Sequence, residues 1–147
     1  MCYLSPVRRV VLDSSVVVSA FRSRRGASSR LLVLAEAGRV VPLATPALFL
    51  EYEGVLKRPE QREVSRLSLA EVDTALVALA ALVEPVEVCF AWRPQLADPD
   101  DEMVLEAAVN GRADALVTHN LADFAQAAPR FGLTVLRPGE FLERIGR

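Results

Sequence analysis

The chain has 147 residues, and this length fits one domain covering residues 1–147, since domains commonly run ~100 to 150 residues. Hydrophobic residues make up 52% and charged residues 24%, which excludes a disordered chain, and no uncharged apolar run approaches the ~20 residues that would span a bilayer. The net charge is −2 but unevenly distributed, because residues 21–30 carry four arginines and no acid.

The first half of the chain alternates between strand and helix patterns. The predicted elements are a strand Val7 to Leu12, a helix Ala27 to Ala37, a strand Val40 to Ala44 and a helix from Pro46 to about Lys57. Thr45 before Pro46 is typical of an N-cap followed by proline at the first helical position. The helix is expected to stop before Pro59.

The second half continues the alternation. The predicted elements are a helix Leu69 to Val83, a short strand Val86 to Phe90, a loop Ala91 to Ala97, a helix Asp100 to Arg112, a strand Ala115 to Thr118, a short helical segment Leu121 to Ala128, a strand Leu133 to Leu136 and a helix Pro138 to Ile145. Ser68 and Glu71 form a capping-box pattern. This order predicts an α/β fold with a mostly parallel central sheet covered by helices on both faces.

Four carboxylates lie where strands end or where the adjoining helices begin: Asp13, Glu51, Asp101 and Asp123. Ligands gather at that edge of parallel sheets. Carboxylates brought together repel one another unless they are protonated or neutralised by a cation. An all-oxygen set favours Mg²⁺ or Mn²⁺ over zinc, so the pattern predicts metal-dependent phosphodiester chemistry.

Helical geometry places Glu51 and Glu53 on different sides of the same predicted helix. At ~100° per residue, Glu51 projects to the apolar side of its helix and Glu53 points away from it. The alternative for Glu51 is a buried ion pair with an arginine. Asp101 also faces the apolar side of its helix, with a helix-dipole role as its alternative, because Asp98 before Pro99 fits the N-cap.

The other candidates have alternatives of their own. Asp13 could cap the helix that follows it, and Asp123 could cap the short segment after Asn120. His119 is the only histidine, which makes a zinc site a poor interpretation. The cysteines Cys2 and Cys89 lie far apart, and no apolar signal segment opens the chain, so free thiols in the cytoplasm are expected.

The basic segment is a candidate for binding RNA. Its arginines are Arg22, Arg24, Arg25 and Arg30. They suit planar, bidentate contacts with phosphate, and the alternative is a solvated surface loop.

Four segments of the chain form an ordered set of motifs: Val10 to Val16, Thr45 to Pro59, Asp98 to Asp101 and Val117 to Phe124. Taken in this order they resemble the PIN-domain family, and most closely its VapC-like toxins of toxin–antitoxin pairs. Together they cover nearly the whole chain. The resemblance implies a PIN-like three-layer α/β/α fold and a Mg²⁺- or Mn²⁺-dependent ribonuclease whose products carry 5′-phosphate and 3′-hydroxyl ends. It also implies a homodimer and a small antitoxin that blocks the cleft.

The family's functional positions carry over residue by residue. Asp13, Glu51 and Asp101 match the acidic cluster, and Asn120 and Asp123 match the Asn and Asp seen at the fourth position in one form of the family. The supporting residues are Ser14, Thr118, Asn120 and Asp98.

The chain departs from the family in its first motif. Ser14 and Ser15 stand where members usually have Thr and Asn, so the amide at the second place is lost. A haloacid-dehalogenase-like phosphatase would need an acid where Ser15 stands, and a Rossmann cofactor domain would need a glycine-rich turn after the first strand. The serious alternative to a nuclease is a PIN fold that binds RNA or protein without cutting.

Overall fold

The computed structural model describes residues 8–89 and 96–145. Within them five short strands form a sheet: β1 (Arg8–Leu12), β2 (Val40–Ala44), β3 (Glu84–Pro85), β4 (Ala115–Val117) and β5 (Val135–Leu136). The strand order is β3-β2-β1-β4-β5, and every neighbouring pair is parallel. Helices cover the sheet in a three-layer α/β/α arrangement, so the predicted fold class is confirmed.

The described segments contain eight α-helices and one 3₁₀ turn. They are α1 (Ser14–Arg22), α2 (Ala27–Glu36), α3 (Pro46–Leu56), α4 (Pro59–Ser65), α5 (Leu69–Leu82), α6 (Pro99–Asn110), α7 (Leu121–Phe124), the 3₁₀ turn Ala128–Phe131 and α8 (Pro138–Arg144). Helix α4 was not predicted from the sequence. It begins with Pro59 at its first position, so the proline that ends α3 also starts the next helix.

Side-chain caps fix where three helices begin. The Thr45 side chain accepts a hydrogen bond from Leu48 N at 3.1 Å, and Ser68 forms the full capping box with Glu71. Asp98 accepts from Asp100 N at 2.9 Å. All three caps were predicted from the sequence, and two of them set the start of α3 and α6 beside the sheet.

The register of the central strands places the site. Val10 pairs with Ala115 and Leu12 with Val117, so β1 and β4 end at the same level. Residues 10–12 of β1 and all of β4 are apolar and buried, as expected for inner strands of a parallel sheet. The residues that follow them therefore emerge side by side at the carboxyl edge.

The predicted strand Val86 to Phe90 is wrong. The edge strand is Glu84–Pro85, two residues earlier, and it pairs with Leu43 and Ala44 of β2. Val86 N donates to Ala44 O at 2.9 Å. The ladder ends there because Thr45 already caps α3 and leaves no strand to pair with.

Some predicted features lie outside the described residues: Val7, Phe90, most of the loop 91–97 and Cys2. Cys89 is described, and it is exposed and not in a disulfide. Among the helices that the structure describes, none has the length and apolar character needed to cross a membrane.

Candidate active site

A cleft of about 560 Å³ opens at the carboxyl edge of the sheet. Six acids line it: Asp13, Glu51, Asp98, Asp100, Asp101 and Asp123. The four acids proposed from the sequence are among them, contributed by the end of β1 and by α3, α6 and α7. The structure thus brings into one cleft carboxylates that lie far apart along the chain, while their catalytic role stays a prediction.

Asp13 is held in place by two hydroxyl groups. It is only 4% exposed. Its Oδ2 accepts hydrogen bonds from Thr118 Oγ1 at 2.6 Å and from Ser15 Oγ at 3.0 Å. Asp13 occupies the N-cap position of α1 but makes no side-chain cap hydrogen bond. The predicted N-cap position of Asp13 is confirmed, although its side chain caps no backbone N–H of α1, and among the described residues Oδ1 has no hydrogen-bond donor.

The same hydroxyls tie the loop after β4 to the end of β1. Thr118 Oγ1 also accepts from Asn120 N at 2.9 Å, and His119 N donates to Ser15 Oγ at 3.4 Å. Ser15 was not among the predicted site residues, because only its lost amide was considered. Its hydroxyl nevertheless supplies both a donor and an acceptor here.

A tyrosine side chain forms a hydrogen bond with the end of β1. The hydroxyl of Tyr52, on α3, donates to the carbonyl oxygen of Leu12. Burial raises the pKa of Tyr52, and the negative charge of Asp13 raises it further. The phenol therefore stays protonated and remains a donor.

Glu51 faces the cleft and Glu53 does not. Burial raises the pKa of Glu51, the negative charge of Asp100 raises it further, and Arg58 acts in the opposite direction. Glu53 instead pairs with Lys57 at 2.8 Å on the outer side of α3. The helical-face prediction is confirmed, and no ion pair joins Glu51 to an arginine among the described residues.

Asp101 carries the clearest electrostatic signature of the site. Its pKa is raised from 3.8 to about 6, first by burial and then by the negative charges of Asp123, Asp98, Asp13 and Asp100. Raised carboxyl pKa values of this kind arise when like charges share a desolvated site. The cleft therefore favours either a proton or a cation between its acids.

The predicted supporting residues occupy different places. Ser14 and Asn120 line the cleft, and Thr118 is buried behind Asp13. Asp98 lines the cleft and also caps α6, as its N-cap prediction required. His119 lines the rim, with Nε2 at 3.4 Å from Ser28 Oγ.

The donor set fits a hard divalent cation. It consists of carboxylate oxygens, which suit Mg²⁺ or Mn²⁺, and it has one histidine and no cysteine. In the parts of the chain that are described, no three His, Cys, Asp or Glu side chains lie at cation-ligand spacing. Carboxylates without a cation repel one another, which keeps them apart. Binding a cation therefore requires these side chains to move closer together.

The predicted basic segment divides into two parts. Arg22, in the last turn of α1, lines the cleft, whereas Arg24, Arg25 and Arg30 are exposed and are not among its lining residues. Arg58 also lines the cleft. Two exposed arginines therefore line the cleft beside its acids.

A parallel sheet with an acid-lined cleft at its carboxyl edge defines a class of α/β proteins that handle phosphate groups or metal ions. The family model described as PIN domain matches residues 9–122. The match covers most of the chain, and the protein belongs to the PIN-domain family. PIN domains are usually nucleases. A comparison with curated proteins found no match.

Proposed function

We propose that the protein is a Mg²⁺- or Mn²⁺-dependent endoribonuclease that hydrolyses phosphodiester bonds in RNA. The observation that carries the proposal is the convergence of Asp13, Glu51, Asp101 and Asp123 on one cleft. The raised pKa of Asp101 supports it, because the same charges that penalise its ionisation would attract a cation. Membership of a family of nucleases supports the reaction class.

The acids differ in how firmly they are held. Asp13 is the fixed member, because two hydroxyls hold Oδ2 and leave Oδ1 for a ligand. Glu51 and Asp101 are more exposed and can turn toward a shared ion. A bound divalent cation would lower the pKa of a coordinated water and stabilise the charge that develops on the phosphate.

Polar groups of the rim would hold the substrate. Ser14, His119 and Asn120 line the cleft and offer donors to phosphate or sugar oxygens. In the proposed reaction water adds to phosphorus and the bond to the 3′ oxygen breaks. The products then carry a 5′-phosphate and a 3′-hydroxyl, as the resemblance implies.

We extend the proposal to the toxin half of a toxin–antitoxin pair, on the strength of the resemblance to VapC-like toxins. The expected partners are a second copy of the chain and a small antitoxin that covers the cleft. Light scattering of the purified protein, alone and co-expressed with its genomic neighbour, tests both partners.

The decisive experiment is cleavage of single-stranded RNA by pure protein. We expect cleavage with Mn²⁺, none with EDTA and none for Asp13→Asn. Asp73→Asn is the matched control, because Asp73 is an exposed carboxylate paired with Lys57 outside the cleft. RNA that is bound but never cut by the wild type at any metal concentration would favour the alternative, a PIN fold that binds without cutting.

A further inference from the structure

Two arginines line the cleft beside its acids. Arg22 lies on α1, which also contributes Ser15 to the lining, and Arg58 is the N-cap residue of α4, just after α3. Seven residues are about two helical turns, so Arg22 shares a helix face with Ser15 and lies roughly 10 Å further along the axis of α1. Because Ser15 contacts Asp13, Arg22 is set apart from that acid along the cleft.

A third polar residue lines the cleft together with the two arginines. Gln61 lies on α4, and its Oε1 accepts a hydrogen bond from Arg22 Nη2 at 3.1 Å. Contacts between α1 and α4 and between α3 and α4 hold the three segments together. The two arginines and Gln61 are thus treated as one small cluster of the cleft lining, in which Gln61 orients Arg22.

The arginines of this cluster keep charge available for a ligand, although the charge of Arg58 also acts to lower the pKa of Glu51. Neither Arg22 nor Arg58 forms an ion pair with a carboxylate of the described residues, whereas Arg9 pairs with Glu84 at 2.7 Å. A guanidinium has five N–H donors, so the one bond to Gln61 leaves Arg22 free for a bidentate contact. A phosphate is the anion that matches this geometry, and a polyanionic strand entering a cleft of six acids needs such a partner.

We propose that Arg22 and Arg58 form a subsite for a phosphate of the RNA strand other than the one that is cut. This inference rests on the proposed function. A stacked strand rises about 3.4 Å per nucleotide, so the offset of roughly 10 Å between Ser15 and Arg22 along α1 places the held phosphate within about three nucleotides of the scissile bond. The subsite would fix the strand's direction and disfavour substrates too short to reach it.

The test uses single-stranded RNA with a mapped cleavage site. One uncharged methylphosphonate linkage is placed in turn at the first, second or third position on either side of that site. The kcat/KM with Mn²⁺ is measured for the wild type, Arg22→Gln, Arg58→Gln and the control Arg39→Gln. Arg39 is an exposed arginine just before β2 and away from the cleft, and circular dichroism checks the fold of each variant.

We expect the wild type and Arg39→Gln to lose about tenfold or more in kcat/KM at one position on one side only, the loss typical of a charge-assisted contact. Arg22→Gln and Arg58→Gln should cleave the fully charged RNA with a lower kcat/KM than the wild type. Introducing the neutral linkage should then reduce their kcat/KM little further. Equal sensitivity in all four proteins, or no sensitive position in the wild type, would overturn the subsite.

Failure of the proposed function gives a different result. If the wild type cuts no RNA, its binding is measured as a function of salt concentration. Each of the two cleft arginines should then account for about 0.7 of the salt slope, and Arg39→Gln should leave the slope unchanged. Unchanged slopes in Arg22→Gln and Arg58→Gln would exclude a phosphate subsite even for a protein that only binds.

Discussion

Thr118 Oγ1 donates a 2.6 Å hydrogen bond to Asp13 Oδ2 across 105 positions of sequence. The pair joins the carboxyl ends of β4 and β1, which the parallel register sets at the same level. Thr118 is fully buried, so no water competes with this bond. The hydrogen bond orients the Asp13 carboxylate. Its Oδ1 accepts no hydrogen bond from the described residues, so that oxygen is available to a cation.

Thr118→Val should weaken metal binding while keeping the side chain's shape. Loss of a group that orients a ligand typically costs about 10- to 100-fold in metal affinity, and we expect that loss for Mn²⁺ by calorimetry. Thr74→Val is the matched control, because the Thr74 hydroxyl bonds only to a carbonyl of its own helix, α5. Equal affinities in the two variants would show that Thr118 does not orient Asp13.

The stability of the metal-free protein should depend on the ionisation of Asp101. Its folded pKa of about 6 lies above the unfolded value of 3.8, so the folded state holds the proton more tightly. The stabilisation is fully present below the unfolded pKa and is lost as pH rises through the folded pKa. We expect the Tm of the wild type relative to Asp101→Asn to fall across this window, measured by scanning calorimetry.

A difference in Tm that stays constant from about pH 4 to about pH 7 would contradict this linkage. Metal binding should show the opposite trend, because a cation competes with the proton on Asp101. Mn²⁺ affinity should therefore rise over the same window in the wild type and rise less in Asp101→Asn.

Glu51→Gln and Glu53→Gln form a matched pair on one helix. Glu51 faces the cleft, so its substitution should abolish cleavage and lower Mn²⁺ affinity. Glu53 makes a partly exposed pair with Lys57, and its loss should cost less than about 1 kcal/mol of stability and leave cleavage unchanged. Cleavage assays and urea unfolding measure both effects, and the reverse pattern would overturn the assignment of the helix face.

Mn²⁺ should raise the Tm of the wild type. A ligand that binds only the native state stabilises it by about 2.7 kcal/mol at a concentration of 100 Kd, and relief of carboxylate repulsion acts in the same direction. Asp13→Asn should lose most of this shift, and Asp73→Asn should retain it. No shift at saturating Mn²⁺ would exclude a metal site in the free protein.

The exposed arginines Arg24 and Arg25 should act through long-range charge alone. Their joint replacement by alanine should reduce the salt slope of RNA binding by up to about 0.7 per residue. Because both lie on the surface, each change should cost within about 0.5 kcal/mol of stability. Fluorescence anisotropy over a salt series measures the slope, and an unchanged slope would identify this part of the segment as solvated surface.

Local sequence was sufficient for the features that depend on neighbours in the chain. Thr45, Ser68 and Asp98 were predicted as helix caps, and the structure shows each capping bond. Caps and hydrophobic periodicity are short-range effects, so a few residues suffice to recognise them. The separation of Glu51 from Glu53 follows in the same way from the geometry of one helix turn.

Features that depend on a distant partner were mispredicted or missed. The edge strand was placed at Val86 to Phe90, because the local pattern does not reveal that β2 ends at Ala44. The role of Ser15 was missed, since it depends on Asp13 and on the loop after β4. Pairing register and long-range hydrogen bonds are properties of the assembled sheet and not of a segment.

The sequence by itself determined the α/β class, the capped starts of three helices, the family resemblance and the identity of four candidate acids. Only the tertiary structure decided that these acids share one cleft, that Thr118 and Ser15 hold Asp13, and that Arg22 and Arg58 line the cleft while Arg24 and Arg25 lie outside it. The physical reason is that periodicity and capping act over a few residues, whereas the site is made by parallel strands that bring remote positions to one edge.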